Sequence, residues 1–458
     1  MNRPDFPKYP EIEIQTGPPF ILYGKKNFRI NTRYFAALYI HNTQVQVFDS
    51  GWIRWDGRWK SLGETDVLND LENLIFQVRD DADLGEIQIW ESDLREVQQI
   101  VKRKAHSGPM PQMDPDIIPV SNGILRWDEA RQDFEFVSYA PEIMVFDRMP
   151  ISYDPAATAP QFEAVVQEIL PDPEDRRVAQ EYLGAALFFV NRTRKFLLCL
   201  GEGGCGKTVL SLFLIKILGN NRVLELNIEN VKTSYELAAL TSQTLLTAPE
   251  SVSRALCTEG SEWVKKCVGG DFFQTKQKFR NARVDHYGTF SLIVMSNHQL
   301  RFQFDGRGDE WRDRVIPIFF EQHITDERRD LGLVDRLWKI SSPGIFNWFL
   351  EGAKRVRQND WQITLSPVQR DRIEHLLAMS HPMIVFVENH VVRSAGDHFA
   401  SAEAWKYYVK IRSGAGLPSL EESAFYKQFS TAMDEIYQVT GVNSLPGKKR
   451  GYRDFKLK

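Results

Sequence analysis

The chain has 458 residues, 43% hydrophobic and 26% charged, with 57 basic against 61 acidic side chains and a formal net charge of −4. At about 100–200 residues per domain this is more than one ordinary domain, and the near-neutral balance excludes a uniformly basic DNA-coating protein while leaving room for local basic elements. No apolar run approaches the ~20 residues of a membrane span and the first residues lack the apolar segment of a secretory signal, so a cytoplasmic protein with no membrane partner is expected.

In chain order, residues 35–48 read as a strand, followed by an aromatic turn carrying Trp52, Trp55 and Trp59. Those rings suit base stacking or, the simpler account, a small core. Residues 67–78 have helical spacing. Asp81 and Asp83 form a DxD without supporting acids or histidines, better read as an acidic loop than as a priming metal site. A further helix ends in Lys102, Arg103 and Lys104, and the prolines at 109, 111, 115 and 119 mark the clearest internal boundary. Asn122-Gly123 signals a hairpin. Residues 160–190 are helical, and 194–200 form a short apolar strand ahead of a helix over 207–218 that is apolar on nearly every side. Further strands are expected at 222–226, 244–248, 289–295 and 314–320, making an α/β layered domain. Ser342-Pro343 looks like the N-cap and first turn of a helix, and 402–411 and 422–437 read as helices. The cysteines at 199, 205, 257 and 267 contain no CxxC pair, which speaks against a zinc site or a disulfide framework.

The strand over 194–200 runs into Gly201-Glu-Gly-Gly-Cys-Gly-Lys-Thr208, which fits G-x-x-x-x-G-K-[ST]. Glycines at this spacing let successive N–H groups curl around phosphates, so Gly201, Gly203, Gly204, Cys205 and Gly206 form the cradle for ATP. Lys207 would reach the β- and γ-phosphates and Thr208 would hold Mg²⁺. Hydrolysis also needs an acid near metal and water. Glu250, at the end of an apolar strand, suits that role and metal support, with a helix-start glutamate as the bland reading; Glu225 is a weaker competitor. Asn297 ends a later strand and suits contact with the γ-phosphate or the water, although asparagine is also a common turn residue.

Between these acids and Asn297 lies a basic stretch, with six basic residues and one acid over 264–283. Lys276, Lys278 and Arg280 alternate with Gln277 and Phe279, fit for one face of a hairpin that grips a sugar–phosphate backbone. A solvated charge face is the alternative. Arg312 and Arg314 precede an apolar strand, and either is placed to act as an arginine finger in a neighbour's site, or merely to pair with Glu310 or Asp313.

Taken in order, SNGILRWD, YDPAATAPQFEAVVQEIL, EYLGAALFF, GEGGCGKT, the segment from Lys266 to Gly269-Gly-Asp271, VMSN297 and WRDRVIPIFF resemble the superfamily 3 helicase module of phage, plasmid and poxvirus-type primase-helicases, over roughly residues 110–458. Cys205 stands where that family usually has Asn, and its close arginine pair is split here by Asp313. The resemblance implies an AAA+-type P-loop core with a parallel sheet, working as a hexameric ring on single-stranded or forked DNA with 3′ to 5′ polarity. It assigns Lys207 and Thr208 to Mg·ATP, Glu250 to hydrolysis, Asn297 to sensing and Lys276 or Lys278 to translocation.

The expected organisation is an α+β N-terminal accessory domain over 1–105, a helicase-associated region over 106–190, the ATPase core over 191–325, a helical extension over 326–380 and a winged-helix-like domain over 381–458. From 441 to 458 there are six basic residues and one acid, and Lys448, Lys449 and Arg450 would lie in the wing against phosphates. The leading expectation is an ATP-dependent DNA helicase or translocase in replication of a phage, plasmid or other mobile element, with a separate primase or polymerase as a candidate partner. The alternatives are an ATP-gated replication initiator or loader, and a regulatory or defence ATPase whose output is assembly.

Overall fold

The computed structural model describes residues 10–458 apart from 24–26, 50, 82–83, 85–86, 88, 110–113, 232–239, 241, 252–254, 258–259, 277–282, 299, 303–307, 326–329, 381, 413, 415–416, 418, 440–441 and 447–448. The chain divides into two compact units, Met1–Met149 and Pro150–Lys458. The division falls inside the 106–190 region and not at the proline-rich stretch. Contacts across that stretch explain why: Trp59 Nε1 donates to the Pro141 carbonyl at 3.0 Å, and Phe48, Ile53 and Trp59 pack with Met144 and Phe146.

In the first unit the expected strand over 35–48 is mostly helix, Thr32–Thr43, with only Val45–Phe48 extended. Asn31 caps this helix by accepting from the Tyr34 N–H at 3.3 Å. Tyr34, Phe35, Leu38 and Tyr39 then fall on one buried stripe. Helices Glu64–Asp81 and Glu91–Lys104 pack with it. Val45–Phe48, Gly51–Trp55 and Trp59–Leu62 form an antiparallel sheet. Trp52 and Trp59 are buried, which settles those two rings as core. Ile117–Val120, Gly123–Asp128 and Asp133–Val137 form a second meander. Its turn lies one residue earlier than Asn122-Gly123, because Gly123 already pairs with Val120. Glycine is needed there for close approach: a Cβ would stand 2.6 Å from the Phe136 ring.

The second unit is built on a five-stranded parallel sheet. Its order is Val223–Glu225, Leu245–Ala248, Ser291–Ser296, Phe196–Leu200, Val315–Phe319. The three middle strands are buried at every position, as a parallel sheet covered on both faces requires. Helix Pro173–Ala185 is anchored to the sheet by Tyr182, whose hydroxyl donates to the Leu292 carbonyl and accepts from the Leu292 N–H, each at 2.9 Å. The long helix Leu333–Gln358 breaks at Ser341 (φ −143°, ψ 29°), so Ser342-Pro343 does open a new helical segment. That segment lies directly on Pro173–Ala185, with Gly352 against the Gln180 carbonyl and Gly184 against Ala353 N.

Helices Pro382–His390, Ser401–Ile411 and Glu422–Tyr437 follow, with a sheet ordered Val391–Ala400, Arg450–Leu457, Asn443–Ser444. Phe425, Phe429 and Met433 are buried with Phe386, Tyr408 and Tyr452. Among the described residues no helix is long and apolar enough to cross a membrane.

Candidate functional site

The strand Phe196–Leu200 delivers the chain to the glycine loop at the carboxyl end of the sheet. Open parallel sheets bind ligands in the crevice at that end. Gly201 leaves the strand at φ 156°, where a Cβ would overlap the Phe320 carbonyl oxygen. Gly206, at φ 85°, caps helix Lys207–Leu218, and a Cβ there would come 2.7 Å from Ile169 Cγ2.

The loop is closed from within. The Lys207 ammonium donates to the carbonyls of Gly201 at 2.6 Å and Glu202 at 2.5 Å. The Cys205 thiol donates to Glu202 O at 2.9 Å. Cys205 and Lys207 are buried, whereas Glu202, Gly203 and Thr208 are exposed. Thr208 stands in the first turn of the helix, where unsatisfied N–H groups and the positive end of the dipole favour an anion. Cys199, in the preceding strand, is pushed up to about 12 by burial and is an inert thiol at neutral pH.

Glu250 follows Leu245–Ala248, and Asn297 follows Ser291–Ser296; both side chains are exposed. Because Ser291–Ser296 lies between the other two strands, the exits at Gly201, Asn297 and Glu250 stand side by side. Hydrogen bonds pin them together. The Gly201 N–H reaches Ser296 O at 3.3 Å and the Ser251 N–H reaches Met295 O at 2.8 Å. The Ser296 hydroxyl donates to Ser251 O at 2.6 Å and accepts from the His298 N–H at 3.0 Å. Glu250 itself is held left-handed at φ 56°. Sequence reasoning passed over Ser251 and Ser296, although a small hydroxyl beside each polar strand-end residue was the available signal. Glu225 ends the edge strand, one strand farther from the glycine loop than Glu250.

Arg312 and Arg314 precede Val315–Phe319 and so lie at the amino end of the sheet, the opposite edge from the glycine loop of the same chain. Arg312 is bound to Glu374 at 2.5 and 2.9 Å and to Asp309. These partners replace the Glu310 or Asp313 suggested by sequence proximity. Arg314 donates through Nη1 to Glu310 O at 2.7 Å, while its buried Nε has no hydrogen-bond partner.

Strands Phe272–Lys276 and Arg283–Tyr287 pair as an antiparallel hairpin, with register from Phe272↔Tyr287 to Lys276↔Arg283. Phe273, Thr275 and His286 are its buried side. Thr275 Oγ1 lies 2.9 Å from His286 Nε2, and burial lowers the His286 pKa. Lys265 is engaged structurally, by Glu262 at 2.6 Å and Glu310 at 3.1 Å. Lys278, Arg280 and Lys448 lie outside the described residues, as does Asp83. Lys449 is 4.0 Å from Glu403, and exposed Arg450 opens the final strand.

Residues 29–171 match the family described as D5 N terminal like. Among solved structures, the chain is similar to "The A form apo structure of NrS-1 C terminal region-CTR", with a TM-score of 0.51, 11% identity, and coverage of 92% of this chain and 98% of that one. Two further structures of the NrS-1 C terminal region have TM-scores of 0.49 and 12% identity, with the same coverage. At 11% identity the first likeness shows a shared fold.

Proposed function

We propose that this chain is an ATP-driven DNA translocase or helicase of a phage-type replication system, working as a ring. The observation that carries the reading is the side-by-side exit of Gly201, Glu250 and Asn297 from one parallel sheet, tied through Ser251 and Ser296. In this reading the backbone from Gly201 to Gly206 cradles the phosphates of ATP and Lys207 swings from its loop carbonyls onto them. Thr208 and Glu250 hold Mg²⁺, which supplies neutralisation of charge developing on the transferred phosphoryl group. Glu250 orients the attacking water and Asn297 contacts the γ-phosphate.

The arginines at the far edge of the sheet suit a site shared between neighbouring chains of an AAA+-type hexamer. Arg314 is the better candidate, since Arg312 is already held by two carboxylates. Between the Glu250 and Asn297 strands the chain makes the Phe272–Tyr287 hairpin, so nucleotide state can move a DNA-gripping element bearing Lys276, Lys278 and Arg280. The helices and sheet over 382–457 are read as a winged-helix domain, with Lys449 and Arg450 on phosphates. The likeness of residues 29–171 to a region associated with primase-helicases supports the replication setting.

The test is steady-state ATP hydrolysis with and without single-stranded DNA. Lys207→Ala should abolish turnover, and Glu250→Gln should keep nucleotide binding while slowing turnover by about 100-fold or more. Lys276→Ala combined with Lys278→Ala should keep basal turnover and lose stimulation. Turnover indifferent to DNA would overturn the motor. Stimulation without displacement of a strand from a fork would point instead to an ATP-gated initiator.

A further inference from the structure

The hairpin leaves two large rings in water. Phe272 is 53% exposed and Tyr287 64% exposed. They are direct cross-strand partners at the base of the hairpin, with ring centroids 5.6 Å apart and planes tilted by 60°. Alternate residues on the same strands, Phe273 and His286, point the other way into the core. Among the described residues, nothing in the packing therefore requires aromatic residues on the outer side, where polar side chains would serve. Next along that outer side, Gln274 donates to Asp285 at 2.9 Å, a polar rung between the rings and the Lys276↔Arg283 pair.

A cation stands by the same end of the hairpin, where the Gly270 N–H bonds to the Gly288 carbonyl. Arg194 is exposed and has no carboxylate partner among the described residues. Its Nε lies 3.8 Å from where a Cβ on Gly270 would stand, two residues before Phe272.

We propose that Phe272 and Tyr287 form a stacking platform for a base of single-stranded DNA, with Arg194 contacting the adjoining phosphate; this rests on the DNA-motor reading above. A ring pair with a guanidinium near the same end of the hairpin, unpaired with any carboxylate among the described residues, suits one nucleotide unit: a flat apolar base with a single negative charge alongside. Every base has a π-face, so such a contact tolerates any sequence, as a translocating protein requires. Two exposed acids lie close in sequence, Asp271 before Phe272 and Asp285 two residues before Tyr287, and Asp285 accepts from Gln274. With acids and bases intermixed here, stacking supplies the affinity and the phosphate contact supplies position. The contact is distinct from the one proposed above for Lys276, Lys278 and Arg280, which would set the salt dependence of binding.

The experiment compares binding of oligothymidylate and of an abasic strand of equal length to the full chain, across a salt series. Tyr287→Ala should weaken thymidylate binding at least about fivefold, since one stacked base is worth about 1–3 kcal/mol. It should leave abasic-strand binding and the salt slope unchanged. Tyr287→Trp should keep wild-type affinity, and because Tyr287 is mostly in solvent its removal should not unfold the hairpin. Arg194→Ala should weaken both strands alike.

Equal affinity of the wild-type chain for the two strands would overturn the platform while leaving the motor standing. No binding of either strand, together with DNA-independent turnover, would remove the motor reading itself. A Tyr287→Ala chain that binds DNA normally but sediments as a smaller species would overturn the platform and assign the rings to contact between copies of the chain.

Discussion

Gly201 and Gly203 sit two positions apart in one loop, yet an added methyl group means different things at each. At Gly201 the carbon would collide with the Phe320 carbonyl at a left-handed φ, whereas at Gly203 it would meet nothing within 4 Å. Gly201→Ala should therefore destabilise the unit by about 1–3 kcal/mol and lose nucleotide turnover, through overpacking and backbone strain. Gly203→Ala should stay within about 0.5 kcal/mol of the parent in denaturant melts. Equal effects at the two positions would mean that the loop is shaped by something other than the close approach of the Phe320 carbonyl. The same scale explains Cys205: its thiol is buried and bonded to Glu202 O, so the residue works as a small internal brace rather than as a reactive group.

Helix Pro173–Ala185 and the second half of Leu333–Gln358 approach so closely that backbone meets backbone at Gly184 and Gly352. Gly352→Ala should push the pair apart, costing about 3 kcal/mol, read as a lower denaturation midpoint. Because Tyr182 on the same helix is bonded to Leu292 in the sheet, the displacement should also reach the strand that carries Asn297. At this scale the sequence was legible where local signals agree. The helix after the glycine loop was readable to its bounds because Gly206 and Gly219 flank an unbroken apolar run, and the sheet strands read as short apolar segments. Residues 35–43 misled because their apolar spacing suits either period, and only burial of one stripe with the Asn31 cap decides for helix. Arg312 could not be matched to Glu374 from sequence, since a later helix brings that carboxylate in. The Phe272–Tyr287 pair became visible only once the hairpin register was known.

On the scale of the whole molecule, the five-stranded sheet has two chemically different ends. The carboxyl end gathers the glycine loop, Glu250 and Asn297, and the amino end carries Arg312 and Arg314. If an arginine from one chain completes the site of the next, two crippled variants can restore one another. A mixture of Lys207→Ala with Arg314→Ala chains should regain turnover at about a quarter of its junctions, because random head-to-tail neighbours pair an intact loop with an intact arginine that often. The same mixture with Arg312→Ala identifies which arginine acts, and silence from both mixtures would place the finger elsewhere.

If the two ends are joined between chains in this way, activity is a collective property. Diluting the protein should then lower turnover per chain while each chain stays folded, since the catalytic unit would be the junction and not the monomer.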